Sequence, residues 1–271
     1  MKAERVLVVN ADDFGFTRDV NEGIVAAHRD GILTATTLMA NGSAFDHAVE
    51  LARANPELDV GCHLVLVGGR SVSFPAVPLP ATVTALLQAV ALRRIVPYDE
   101  LRAQVDRILA AGIRPYHLDT HKHTHLFPPV LDAVARLSEE YRIPWVRRPF
   151  DLPLTGDNVP WSKQAISHSL GFLRRRFHRV LTNRGCRVTD HFAGFQITGR
   201  FHAADVVRLI RALPPGITEF MCHPGYCTEE LRAAQTRLKE SREEELRALI
   251  ALEAKAALTA GHVRLSRYRD L

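Results

Sequence analysis

The chain has 271 residues, 46% hydrophobic and 24% charged, proportions of an ordinary globular protein that exclude intrinsic disorder, collagen-like repeats and a long coiled coil. Thirty-five Lys and Arg against 30 Asp and Glu leave a formal charge of +5, a mildly basic surface that permits anionic partners without requiring them. The four cysteines, Cys62, Cys186, Cys222 and Cys227, are too scattered for a disulfide framework and fit a reducing, cytoplasmic compartment.

Short β-branched runs alternate with helical periodicity from the start. The run at 6–10 predicts a strand and 19–30 a helix; the strand's apolar part is too brief for a signal-peptide core. The unit recurs as a strand at 34–40, a helix at 43–54 and a strand at 59–66. Residues 71–92 then carry no charge, but Pro75, Pro78 and Pro80 break the stretch. It reads as a loop and a buried or pocket-facing helix, not as an integral membrane segment. Helices follow at 83–94 and 98–111, a strand at 116–121, a helix at 128–141, a strand at 145–148 and an arginine-rich helix at 163–183. Short strands within 189–198, a helix at 203–212, a strand at 216–222 and mostly helix over 228–260 complete the order.

With no linker rich in Gly, Ser or charge and no internal repeat, this predicts one α/β domain over residues 1–271 with roughly seven parallel strands. A closed (β/α) barrel and an open doubly wound sheet both satisfy the pattern. In either, chemistry sits at the carboxyl ends of the strands.

Four polar clusters fall there. Asp12 and Asp13 follow the most hydrophobic strand; adjacent carboxylates are tolerated if a cation neutralises one, although an Asp here could simply cap the next helix. His63 falls near the end of the third strand, where a structural role is the plainer alternative. His117, Asp119, His121, His123 and His125 occupy every second position, which on an extended strand puts all five on one face. Such a face would be destabilising in an apolar interior, so a metal, a substrate pocket or an exposed edge is expected. His223 follows a late apolar strand and precedes Pro-Gly; Arg147 and Arg148 follow another strand, placed to hold a carboxylate or an anion, or simply exposed.

One Asp and two His at three strand ends match the two-imidazole, one-carboxylate arrangement that leaves open positions on a metal. A spare carboxylate beside it favours hydrolysis of an amide over iron-dependent oxygenation.

The motifs Val-Asn-Ala-Asp-Asp-Phe-Gly at 9–15, Gly-Cys-His-Leu at 61–64, His-Leu-Asp-Thr-His at 117–121 and Cys-His-Pro at 222–224 together resemble the YdjC-like carbohydrate deacetylase family, across nearly the whole chain. The resemblance implies a distorted (β/α), TIM-like barrel that removes acetyl groups from N-acetylated amino sugars with one divalent metal cation. It implies Asp13, His63 and His121 as metal ligands and Asp12 as the base. His223 is the candidate acid, and His125 and Arg148 are candidate substrate-binding residues, with His125 also an alternative ligand. Imidazole ligands favour Zn2+, whereas the resemblance makes Mg2+ equally acceptable. The segment 65–72 and the uncharged stretch behind it look more like the family's hopanoid-biosynthesis branch. The uncharged span at 71–92 is expected to lie near the pocket mouth and shield an apolar aglycone, so that a lipid-linked N-acetylglucosamine is preferred over free chitobiose.

Two other readings compete. The basic run at 173–179 could grip nucleic acid, although sparse aromatic interleaving makes a solvated helix face the simpler expectation. The chain could also be a catalytically inactive metal-binding scaffold. An arginine-rich dimer contact is possible on the sequence alone.

Overall fold

In the computed structural model, residues 4–152 and 173–271 are described. Strand β1 (Arg5–Phe14) leads into α1 (Arg18–Asp30), followed by β2 (Ala35–Leu38), α2 (Phe45–Ala54) and β3 (Asp59–Leu64). A long connection leads to α3 (Val83–Ala91) and α4 (Pro97–Ala110), then β4 (His117–Thr120), a 3-10 turn at His121–Leu126, α5 (Pro128–Tyr141) and β5 (Trp145–Val146). After the undescribed segment come α6 (Arg174–Asn183), β6 (His191–Ala193), α7 (Ala203–Ala212) and β7 (Gly216–Cys222). Three helices, α8 (Glu229–Ala233), α9 (Glu240–Ile250) and α10 (Leu252–Ala260), precede a terminal strand β8 (Val263–Leu265). The expected helix at 163–183 is thus seen only from Arg174 on; its first ten residues lie outside the described residues.

The strands are parallel and ordered β5-β4-β3-β2-β1-β7-β6. The two ends of that order nearly meet. Parallel bridges Trp145↔Arg187 and Asp151↔Phe192 span the gap between β5 and β6, with Val146 N donating to Arg187 O at 2.9 Å and Leu152 N to Phe192 O at 2.7 Å. Of the two architectures open from the sequence, this is the distorted seven-stranded barrel. β8 adds an eighth strand beside β1, pairing Arg5–Leu7 while β2 takes the same edge only from Asn10 onward.

Burial explains why these runs became strands. Every residue of β1 after Arg5 is buried, as expected for a parallel strand covered on both faces. Gly61 is required by the close approach of β3 to β4: a Cβ there would lie 2.5 Å from the His117 carbonyl oxygen. Helix α5 presents Val130, Leu131, Val134 and Leu137 to the core, the spacing of one helical face. The arginines of α6 at 174–176 are exposed, whereas Phe177 and Leu181 are buried.

Two expectations need correction. Helix α3 is neither buried nor pocket-facing as a whole, since only Leu86 is buried and Val83 and Leu87 are exposed. The period-two histidine face also fails: β4 ends at Thr120, and Lys122 and His123 adopt φ of 55° and 51°. These left-handed residues turn the chain through a 3-10 segment, so His121, His123 and His125 point in different directions.

Candidate metal and catalytic site

A regular strand would send the side chains of Asp12 and Asp13 to opposite faces. Asp13 instead has φ of 71°, and the pairing of β1 with β2 shifts register between Ala11 and Phe14. An irregularity of this kind re-aims a side chain, and Asp tolerates the left-handed conformation better than most residues. Both carboxylates therefore line one cleft of about 940 Å³ at the carboxyl ends of the strands. Gly15 follows at φ 94° and its N donates to Asn21 Oδ1 at 2.6 Å, anchoring the turn to α1.

Asp13, His63 and His121 converge at the cleft floor. Asp13 Oδ1 is 3.3 Å from His63 Nε2 and 3.4 Å from His121 Nδ1, and the two nitrogens are 3.2 Å apart. Donors about 2.1 Å from a shared cation are separated by roughly 3.0 Å at right angles and 3.4 Å at tetrahedral angles. The triangle has that size. Asp13 Oδ1 is moreover buried without a hydrogen bond of acceptable geometry, an orphan that cation coordination would satisfy. The donor set therefore fits a divalent cation.

The surroundings orient these donors. His63 Nδ1 donates to Asp119 Oδ1 at 2.6 Å, and Thr37 Oγ1 donates to Asp119 Oδ2 at 3.1 Å. In the neutral ring that leaves His63 Nε2 as the lone-pair atom facing Asp13, the arrangement by which a carboxylate fixes the tautomer of a metal-ligating imidazole. Burial works to lower the His63 pKa, but Asp119, Asp13 and Asp12 outweigh it and raise the value to about 10. The carboxylates around His63 thus favour positive charge here, which a bound cation would supply in place of the ring proton. Arg242 Nη2 holds the other Asp13 oxygen at 2.5 Å.

Arg147 lies beneath Asp12, itself fully buried. Its Nη2 and Nη1 donate to the two Asp12 oxygens at 2.6 and 2.8 Å, Nη1 reaches Asp119 Oδ2 at 2.7 Å, and Nε donates to Glu219 Oε1 at 2.7 Å. Burial alone would raise the Asp12 pKa, but Arg147, His63 and His223 hold it well below the usual carboxylate range. Asp12 is therefore ionised and acceptor-only. Desolvation pushes Glu219 up despite the same guanidinium.

His223 lines the cleft with Nε2 3.8 Å from Asp12 Oδ2. Its backbone N donates to Glu245 Oε2 at 2.5 Å, and the same oxygen lies 4.0 Å from Nδ1. Desolvation lowers the His223 pKa to about 4, against the opposing pull of Asp12 and Asp13, so the ring is neutral at pH 7.

Asp12, Asp13, His63, His121 and His223 are thus brought together; His125 and Arg148 are not. His125 is buried, with Nε2–H donating to the Arg147 carbonyl at 3.1 Å and Nδ1 2.5 Å from the Thr120 hydroxyl. Both ring nitrogens are committed to the backbone turn and strand that carry His121 and Arg147. Arg148 points away, as the neighbour of an inward Arg147 must on an extended backbone, and donates to the Asp190 carbonyl. His123 lines the cleft instead, edge-on to Phe192 and near Phe195.

The sequence reading missed Arg242 and Glu245, hidden in a charged run that looks like a solvated helix face. A signal was present: 242, 245, 246 and 249 share one face of α9 and are all buried, with Leu246 and Leu249 marking that face as inward.

Fold and site together define a parallel α/β barrel with an Asp–His–His donor set at the carboxyl ends of β1 and β3 and just past β4. The chain belongs to the YdjC-like protein family, whose sequence profile matches residues 6–260. It is 36% identical over 270 residues to a carbohydrate deacetylase of Brevibacillus brevis, covering 98% of this chain and 99% of the relative. It is 32% identical over 277 residues to a chitooligosaccharide deacetylase of Salmonella typhimurium, covering 99% and 100%. Among solved structures, a protein from Enterococcus faecalis, provisionally described as a cellobiose-phosphate cleavage protein, superposes with a TM-score of 0.74 at 21% identity, covering 99% of both chains. A lactam utilization protein from Thermus thermophilus gives a TM-score of 0.51 at 15% identity, with 98% and 99% covered; these two likenesses concern the fold.

Proposed function

We propose that the protein is a metal-dependent deacetylase of N-acetylated amino sugars, free or lipid-linked. The observation that carries this reading is the Asp13–His63–His121 triangle with a second, ionised carboxylate, Asp12, beside it. The names of the B. brevis and S. typhimurium relatives support the substrate class. Asp13, His63 and His121 would hold one divalent cation, Zn2+ or Mg2+, which supplies Lewis acidity toward the acetyl carbonyl and acidifies water.

The chain's own groups carry the protons. Asp12, held ionised by Arg147, accepts a proton from the attacking water. His223 enters neutral, receives that proton from Asp12 once the 3.8 Å between Asp12 Oδ2 and His223 Nε2 closes to hydrogen-bond length or is bridged by one water, and delivers it to the departing amine nitrogen. The amide C–N bond breaks, acetate and a free amine result, and both residues return to their starting state. Glu245 fixes the His223 backbone for this transfer. His125 serves as a positioning residue for the Arg147 strand, and we assign neither it nor Arg148 to the sugar.

Acetate release tests the reading. Metal-replete protein is expected to liberate acetate and primary amine from diacetylchitobiose, and faster from a lipid-linked N-acetylglucosamine, with both activities abolished by a chelator and restored by Zn2+ or Mg2+. Chelator-resistant turnover would exclude the metal reading, and faster turnover of the free sugar would remove the lipid preference. Independently of turnover, Asp119→Asn is expected to weaken divalent-cation binding in calorimetric titration by about 10- to 100-fold, the usual effect of losing a carboxylate that orients an imidazole ligand. Unchanged affinity would show that Asp119 does not orient a ligating His63.

A further inference from the structure

The connection between β3 and α4 carries a surface that the proposed reaction does not use. Phe74, Val77, Leu87, Leu92 and Val96 are 69%, 52%, 38%, 61% and 52% exposed, far more large apolar side chains than this length of a soluble surface usually shows together. All five lie in one stretch of the chain, between residues 74 and 96. Residues 70–78 fold back on themselves through an antiparallel Arg70↔Pro78 bridge and a Val77 N to Phe74 O hydrogen bond of 2.8 Å, placing Phe74 and Val77 at a loop tip. Ser73, next to Phe74, donates to the Asp99 carbonyl and to Glu100, so the tip leans on the first turn of α4, where Val96 is the cap. Leu87 and Leu92 lead into that same turn along and just after α3.

The charge around this apolar region is one-sided. Residues 60–98 contain no Asp or Glu, whereas Arg70, Arg93 and Arg94 do occur, and all three are exposed. Asp99 and Glu140 are exposed acids at the edge, Glu140 bonded to Tyr98 and paired with Arg136. Apolar side chains rimmed by arginine suit an interface that is hydrocarbon at its centre and anionic at its headgroups. A second copy of this patch would add further arginines to the contact and few acids to pair with them, whereas anionic headgroups neutralise them. The region also adjoins the catalytic cleft, whose wall includes Gly68, Gly69, Leu79 and Ala81, and Gly68 N donates to the Pro80 carbonyl at 2.8 Å, tying the loop's base to that wall.

We infer that this loop and helix dock the protein on an anionic lipid surface with the cleft mouth at the bilayer. The inference stands without the proposed reaction. The docking inferred is peripheral and reversible; among the described residues no helix is long and apolar enough to cross a membrane.

Co-sedimentation with vesicles of phosphatidylcholine alone and of phosphatidylcholine with phosphatidylglycerol tests it. The full chain is expected to bind the anionic vesicles and to be released by salt. The combined variant Phe74→Ser, Val77→Ser, Leu87→Gln and Leu92→Gln is expected to bind at least about ten-fold more weakly with an unaltered melting temperature, and Arg93→Gln with Arg94→Gln to lose the preference for anionic lipid. No binding to anionic vesicles, or binding that survives the four apolar substitutions, overturns the inference. So does a dimer in sedimentation velocity that those substitutions dissolve, since the patch would then belong to a second copy.

Discussion

Asp12→Asn is expected to lower kcat by about 1,000-fold, within the range that a positioned general base contributes, while divalent-cation affinity and KM change little. The substitution keeps the shape of the side chain but removes its charge and its ability to take a proton, and it turns one of the two oxygens that accept from Arg147 into a donor. Arg147 keeps its contacts to Asp119 and Glu219, so the fold under the site should survive, and Asp13, His63 and His121 are untouched. The pH behaviour follows from the charge environment. Burial opposes ionisation of Asp12, but Arg147 overrides it and depresses the folded-state pKa. A carboxylate so depressed contributes stability that is fully present above its unfolded pKa near 3.9 and is lost as pH falls through the folded value. Asp12 therefore stays ionised throughout the range in which the enzyme is assayed, and it should set no acid limb in the profile of kcat/KM above pH 4. Full activity in Asp12→Asn, with cation bound, would move the base elsewhere and leave Asp12 as a structural partner of Arg147.

Much of this site was legible because parallel strands expose their carboxyl ends to the same side. The run before Asp12, the short segment before His63 and the Gly216–Cys222 strand before His223 each announced a strand and a polar residue at its end. Helices α5 and α7 were legible to the residue in their boundaries, since Pro128 starts one and an apolar stripe marks the other. What escaped depended on tertiary geometry. Alternation of five polar residues from His117 to His125 suggested a long strand, but backbone conformation, which periodicity does not report, turned the chain at Lys122 and His123. Short β8 has only three residues and earns its place by pairing with β1, a non-local reward absent from any local window. Arg147 and Arg148 are identical in type; only strand phase sends one beneath Asp12 and the other toward Asp190.

Arg147→Met is expected to destabilise the fold by about 3–5 kcal/mol, the usual penalty for removing one partner of a buried ion cluster, lowering the melting temperature by on the order of 10 °C. The thioether approximates the length of the side chain but leaves Asp12, Asp119 and Glu219 buried together with no guanidinium between them. Mutual repulsion and desolvation then raise the folded-state pKa values of Asp12 and Glu219 above those of the unfolded chain. The folded variant binds more protons than the unfolded one, so the slope of unfolding free energy with pH is negative. Stability should fall as pH rises from about 4 toward neutrality, and denaturant melts across that range would read it directly. Glu219 is already pushed toward its protonated form by burial, so Glu219→Gln added to Arg147→Met should recover part of the loss at pH 7. Arg147→Lys should fall between wild type and Met, because an ammonium retains the charge yet cannot span three carboxylates at once. If Arg147→Met melted with wild-type stability and a flat pH dependence, Asp12 and Glu219 would have to be largely neutral in the native protein. Asp12 could then not be the standing base on which the proposed chemistry depends.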